Sequence, residues 1–334
     1  MHAPDSASLP DLLRRADGTA IVAASEARRH IDALGVAWVE LVYGRLPPRP
    51  AHTQARLLHR IEVAALGGAV LGNWRVHCGP QQSFMLQLLR PPGDVPCPVV
   101  LSGDGCWRSS SDEAVSLLLR RGHALAQFNR VEIAPDLAAP HNGQGAIAAW
   151  AWGYQRCVDV LCDMAEVDAT RIAVTGHSRG GKAALLAGAT DTRIALTHAN
   201  NSGAGGSGSW RHQGPGSETL ARLVAQFPHW MGAGLPAWAG REHQMPSDQH
   251  LLKAMLAPRA LLTTDAIDDL WANPSGCRLT HEAAQAVFAL LGDPRRSVLV
   301  MREGGHALAL ADWLALLDFA DECWAAAPPS PALR

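Results

Sequence analysis

One stretch constrains the fold of this chain more than any other: Ile172-Ala173-Val174-Thr175-Gly176-His177-Ser178-Arg179-Gly180-Gly181-Lys182-Ala183-Ala184-Leu185. A short apolar run enters Gly-x-Ser-x-Gly and leads straight into helix-forming residues, the strand, turn and helix context that a nucleophile elbow requires. A glycine-rich turn with an ordinary N-cap serine would fit the five motif residues but not both flanks. In an elbow the sharp turn exposes the serine Oγ, small glycines make room for the neighbouring backbone, and the helix N-terminus favours developing negative charge.

The rest of the chain supplies matching elements. Pro98 to Ser102, Ala124 to Phe128, Ile172 to Thr175, Ala195 to Ala199, Ala260 to Thr264 and Ser297 to Met301 are short continuous apolar runs, as in buried parallel strands. Helical patterning falls between them over Asp112 to Arg121, Ala146 to Val167 and Lys182 to Ala189. Before Pro91-Pro92-Gly93, residues 60–64, 74–77 and 84–89 alternate apolar and polar side chains, which predicts antiparallel strands at one sheet edge. The fold class is therefore α/β: a three-layer sandwich with a mostly parallel central sheet. Residues 1–50, with helical patterning at Asp11 to Arg15 and Glu26 to Trp38, read as an N-terminal arm packed on the core; residues 51–334 form a single hydrolase-like domain. The Trp-, His-, Gly- and Pro-rich segment from about 207 to 250 has no strand of its own and reads as a cap-like insertion over the site.

Composition excludes several function classes. Among 334 residues, 48% are hydrophobic and 18% charged, too apolar for disorder, and 29 basic against 31 acidic side chains give a net charge of -2. Such a balance argues against nucleic-acid partners, and no uncharged apolar stretch reaches membrane-spanning length. Seven cysteines (78, 97, 106, 157, 162, 277 and 323) lack CxxC spacing, so neither zinc nor a disulfide framework is indicated; no metal or other cofactor is expected. With an acidic, proline-containing start and no secretory pattern, the expected location is cytoplasmic. Oligomeric state leaves no mark in the sequence.

A serine at its ordinary pKa needs a base, and in an α/β-hydrolase the chain order is serine, acid, histidine. Of fifteen histidines, His306 is the one that follows the last strand on a Glu303-Gly304-Gly305 turn. The strand Ala260 to Thr264 leads into three candidate acids: Asp265 at the strand end, and Asp268 and Asp269 in the following loop. Asp269 is preferred, Asp268 is the alternative, and the loser becomes a cap or surface charge.

At these residues the chain resembles the glucuronoyl esterases, carbohydrate esterase family 15, and especially their bacterial members. The likeness rests on Phe128 to Asp136, Gly176 to Lys182, Asn201 to Gly206, Phe227 to Trp230, Asp248 to His250 and Asp269 to Pro274, and it spans about two thirds of the chain. It implies that Arg179 helps hold the oxyanion, that Lys182 contacts sugar hydroxyls and that Trp271 packs on a sugar ring. Fungal members place their acid at the position of Asn201, which carries no charge, so the resemblance also points to Asp269. The family disulfide flanking nucleophile and base is absent, since those positions read His177 and Ala307, and a second is broken because the partner position of Cys277 reads Ser209. The expected activity is a serine carboxylesterase acting on a uronic-acid ester, with a small-molecule or carbohydrate ester as partner. The competing readings are an acetyl xylan esterase or chlorophyllase-like esterase with the same triad, and a non-catalytic hydrolase-fold binding protein.

Overall fold

The computed structural model describes residues 9–80, 82–105, 110–137 and 144–325. Cys106 and the first eight and last nine residues lie outside them. The elements run α1 (Ala24–Tyr43), β1 (Gln54–Val63), β2 (Ala69–His77), β3 (Ser83–Arg90), β4 (Cys97–Ser102), α2 (Asp112–Arg120), β5 (Ala124–Phe128), α3 (Ala146–Cys162), β6 (Val167–His177) and α4 (Arg179–Thr190). They continue with β7 (Leu196–Asn200), α5 (Leu220–Gln226), α6 (Gln249–Ala254), β8 (Ala260–Ala266), α7 (Pro274–Leu291), β9 (Ser297–Arg302) and α8 (Leu310–Ala325).

Among the described residues, nine strands form one sheet in the order β1-β2-β3-β5-β4-β6-β7-β8-β9. The β1, β2 and β3 ladders and the β3–β5 pairing are antiparallel; every pairing from β5 onward is parallel. Strand periodicity sends alternate side chains to two cores. Along β4, Val99 and Leu101 join α1, α3, α4, α6 and α7 on one face, whereas Val100 joins α2 and α8 on the other. The central strands are apolar because both faces are covered: β8 is buried from Ala260 to Ala266. At the far edge, β1 is exposed from Gln54 to Glu62.

Several boundaries depart from the sequence reading. Residues 11–15 are not helical, because Asp11 Oδ1 accepts the Leu13 N–H (2.9 Å) and the chain doubles back through Gly18 so that Arg14 bridges Ala20. The helix predicted over 146–167 stops at Cys162, since Val167 is already paired with Cys97 at the start of β6. Helices α5, α6, α7 and α8 were not anticipated. For α8 the reason is visible: its apolar residues are spread around the helix, so the amphipathic stripe is weak. The segment 207–250 contains α5, two 3-10 turns and the first residues of α6, with no ladder strand.

Candidate active site

The elbow is built by close backbone approach. Between β6 and α4, Ser178 holds φ 56° and ψ −121°, a conformation rare for a residue with a side chain. A Cβ at position 176 would lie 2.3 Å from the Gly180 carbonyl oxygen, and one at 180 would lie 2.1 Å from the Asp104 carboxylate. Both motif glycines are therefore sterically required. The strained turn is held by the Ser178 N–H donating to Asn200 O (2.9 Å) and the His177 N–H donating to Asp104 Oδ2 (2.8 Å). Asp104, just beyond the end of β4, is itself buried in an ion pair with Arg130.

The candidate base and acid come from the loops after β9 and β8. His306 Nδ1 lies 2.5 Å from Asp269 Oδ2. An ionised carboxylate only accepts, so Nδ1 carries the proton and Nε2 remains as the acceptor. Asp269 is buried, while the His306 side chain is 40% exposed. Asp268 serves the loop instead. Its Oδ2 accepts the Gly304 N–H (2.9 Å) and so fastens the segment that carries His306. Asp265 is wholly buried in β8, where desolvation pushes its carboxyl up to about 6. Ser178, His306, Arg179, Lys182 and Trp271 all line one cavity of about 230 Å³.

Within the same cavity lining, Lys182 is buried one helical turn beyond Ser178. Its ammonium donates to Ser202 O (2.8 Å) and Ala204 O and lies 3.7 Å from Glu218 Oε2. Burial pushes the Lys182 pKa down and the Glu218 pKa up, and the mutual attraction of the two charges opposes both shifts. Among the described residues, Glu218 Oε1 is buried with no hydrogen-bond partner. Trp271 is half-exposed at the rim, and the Arg222 guanidinium lies 5.4 Å from its ring centre. The Arg179 guanidinium donates to Asp136 Oδ2 (2.5 Å) and lies over the rings of Trp230 (4.8 Å) and Phe227 (5.6 Å). Asp136 also accepts from His229 Nε2 and Trp230 Nε1. Burial works upward on its carboxyl, but these three bonds outweigh it and hold it below the usual carboxylate value.

Glu218 escaped the sequence reading. It sits in a polar loop with no periodicity, and nothing local separates it from a solvated acid. Asp136, Phe227 and Trp230 lie in stretches that carry the family resemblance, but no role is legible for them in the sequence. Asp248-Gln249-His250 turns out to be a brace for the 207–250 segment: Asp248 accepts from Ser209 Oγ and the Trp210 and Arg211 N–H groups, and Gln249 bonds Tyr43 and Gly206 O. The hydroxyl facing Cys277 Sγ is that of Ser207 (3.1 Å), while Ser209 donates to Asp248 Oδ2 (2.8 Å). The described cysteines are all free thiols.

A mostly parallel sheet, an elbow after a central strand and a paired histidine and aspartate after the last two strands define an α/β-hydrolase. Within that class the chain belongs to the glucuronoyl esterase family, carbohydrate esterase family 15. The family described as glucuronyl esterase of fungi matches residues 76–292. A carbohydrate esterase of an unknown prokaryotic organism is 39% identical over 202 residues, 56% of this chain and 46% of its own. The 4-O-methyl-glucuronoyl methylesterase of Hypocrea jecorina is 32% identical over 271 residues, 75% of this chain and 55% of its own. The chain thus spans about half the length of the curated relatives it matches. Among solved structures, a promiscuous esterase of this family from a marine bacterial metagenome superposes with a TM-score of 0.85 at 27% identity, covering 94% of this chain and 96% of its own. The glucuronoyl esterase from Solibacter usitatus gives 0.83 at 28% identity, covering 95% and 98%.

Proposed function

We propose that this protein is a serine carboxylesterase that hydrolyses esters of uronic acids. Ser178 Oγ attacks the ester carbonyl while His306 Nε2 takes its proton, and Asp269 stabilises the imidazolium through Nδ1. The tetrahedral oxyanion is met by the Arg179 backbone N–H at the head of α4, with the guanidinium held nearby by Asp136 adding positive charge. His306 returns the proton to the departing alcohol, leaving an ester between Ser178 and the uronoyl group. Water, deprotonated by His306, then releases the uronic acid and restores the serine.

The observation that carries the uronate assignment is the buried Lys182 and Glu218 pair in the same cavity as Ser178 and His306. In a uronate ester the acyl carbon is a ring substituent, so the sugar lies beside the nucleophile and its hydroxyls need donors and acceptors there. Lys182 offers the donor, the unpartnered Glu218 Oε1 the acceptor, and Trp271 a flat face for the ring. A plain acetyl group would use none of them. The curated fungal relatives named 4-O-methyl-glucuronoyl methylesterases support the same substrate class.

The test is a comparison of kcat/KM for methyl and benzyl glucuronate against aryl acetates and acetylated sugars, with Ser178→Ala as the blank. Preference for the glucuronates is expected. Activity on acetylated substrates alone would replace this reading with an acetyl esterase, and no serine-dependent turnover or fluorophosphonate labelling would replace it with a binding protein.

A further inference from the structure

His306 sits on an exposed loop next to two glycines, yet it must present Nε2 to Ser178 at a fixed angle. Asp269 pins Nδ1, and Asp268 ties down Gly304 on the N-terminal side of the histidine. On the C-terminal side the anchor is Ala307 O, which accepts from Asn201 Nδ2 (2.9 Å) and from Arg302 Nη2 (2.6 Å). Asn201 is 1% exposed and lines the catalytic cavity. Its other amide atom, Oδ1, accepts the Ala266 N–H (2.7 Å), and Ala266 O in turn accepts the Asp269 N–H (3.2 Å).

One buried amide therefore joins the segment that carries the acid to the segment that carries the base. The residue type is demanding. Asn201 has φ +43°, a left-handed conformation that asparagine tolerates and most residues resist. The position also needs one donor and one acceptor on a short side chain, which asparagine has and aspartate lacks.

We propose that Asn201 is a positioning residue that sets the alignment of His306 with Asp269 and Ser178. The proposal rests on the triad reading above. Asn201→Asp keeps shape and backbone preference but loses the donor to Ala307 O; Asn201→Gly keeps the left-handed backbone and loses both bonds. Each is expected to lower kcat on methyl glucuronate about 10- to 100-fold with KM within about threefold, the size of effect that small misplacement of reacting groups produces.

The His306 Nδ1–H should give a downfield proton resonance that disappears in Asp269→Asn, and it should shift or vanish in both Asn201 variants. Should one variant fail to fold, the other supplies both readouts. A kcat within threefold of wild type, or a loss of kcat with the downfield resonance unmoved, overturns the role of Asn201. Full activity of Asp269→Asn, run alongside, would instead remove the triad reading on which the proposal stands.

Discussion

The two walls of the catalytic cavity are built differently. The wall that carries the proposed acid and base is made of loops beyond the ends of β8 and β9, with His306 40% exposed and its backbone held by one hydrogen bond at Gly304 and two at Ala307. The proposed recognition wall is part of the core: Lys182 and Glu218 are buried between α4, the 202–204 turn and the 207–250 segment. On the first wall Asp269 is buried but His306 is partly exposed, so a change at His306 is expected to cost the fold little. The two residues on the second are charges already removed from water, where removing one partner strands the other.

The sharpest separation of catalysis from folding is expected at Ser178 and His306. Ser178→Ala and His306→Ala should each lower kcat by about 10⁴-fold or more, without adding in the double variant, because the triad acts as a unit. Thermal melting should stay close to wild type in both, and a melting loss matching the activity loss would erase the distinction between the walls.

Next in size are the two loop aspartates. Asp269→Asn should cost roughly 10²- to 10⁴-fold in kcat by favouring the wrong imidazole tautomer. Asp268→Asn keeps an oxygen acceptor for the Gly304 N–H and should be mild. Steady-state kinetics of the pair checks this, and the reverse order would exchange their assignments.

On the recognition wall, Lys182→Ala should weaken glucuronate esters selectively by about 1–3 kcal/mol in kcat/KM, leaving aryl acetates less affected. It should also lower the melting temperature, since Glu218 is left buried without its cation. Adding Glu218→Gln should restore part of the stability but not the glucuronate preference. Equal losses on both substrate types would mean that Lys182 serves folding alone.

The same contrast explains what could be read from the sequence. Parallel strands and the elbow were legible because each is local: an apolar run, glycines at fixed spacing, a helix start. The pairing of Asp269 with His306 was reachable because both follow strand ends in the expected order. The recognition wall was only half legible. Lys182 and Trp271 came through resemblance, whereas Glu218 meets Lys182 through the folding of a segment without periodicity, a contact 36 residues apart that no local pattern encodes. Asn201 was visible as a missing charge, but its place between Ala266 and Ala307 depends on three strand ends meeting.

The smallest expected effect concerns protonation within the buried structure. His198, wholly buried in β7 between Thr175 Oγ1 and Thr264 Oγ1, has its pKa pushed down to about 4 by desolvation, and His281 in α7 is pushed down to about 4 in the same way. For a histidine whose folded pKa lies below its unfolded value of 6.5, the neutral form is favoured by folding. Its stabilising contribution is complete above pH 6.5 and is lost as pH falls towards about 4. Stability of the wild type should therefore decline through that window. The His281→Gln variant, whose site lies within α7 and touches no catalytic group, should show a pH slope shallower by up to about one proton. Denaturant unfolding of the two proteins between pH 4 and 7 checks this, and parallel curves would mean that His281 takes up its proton equally well in the folded and unfolded chain.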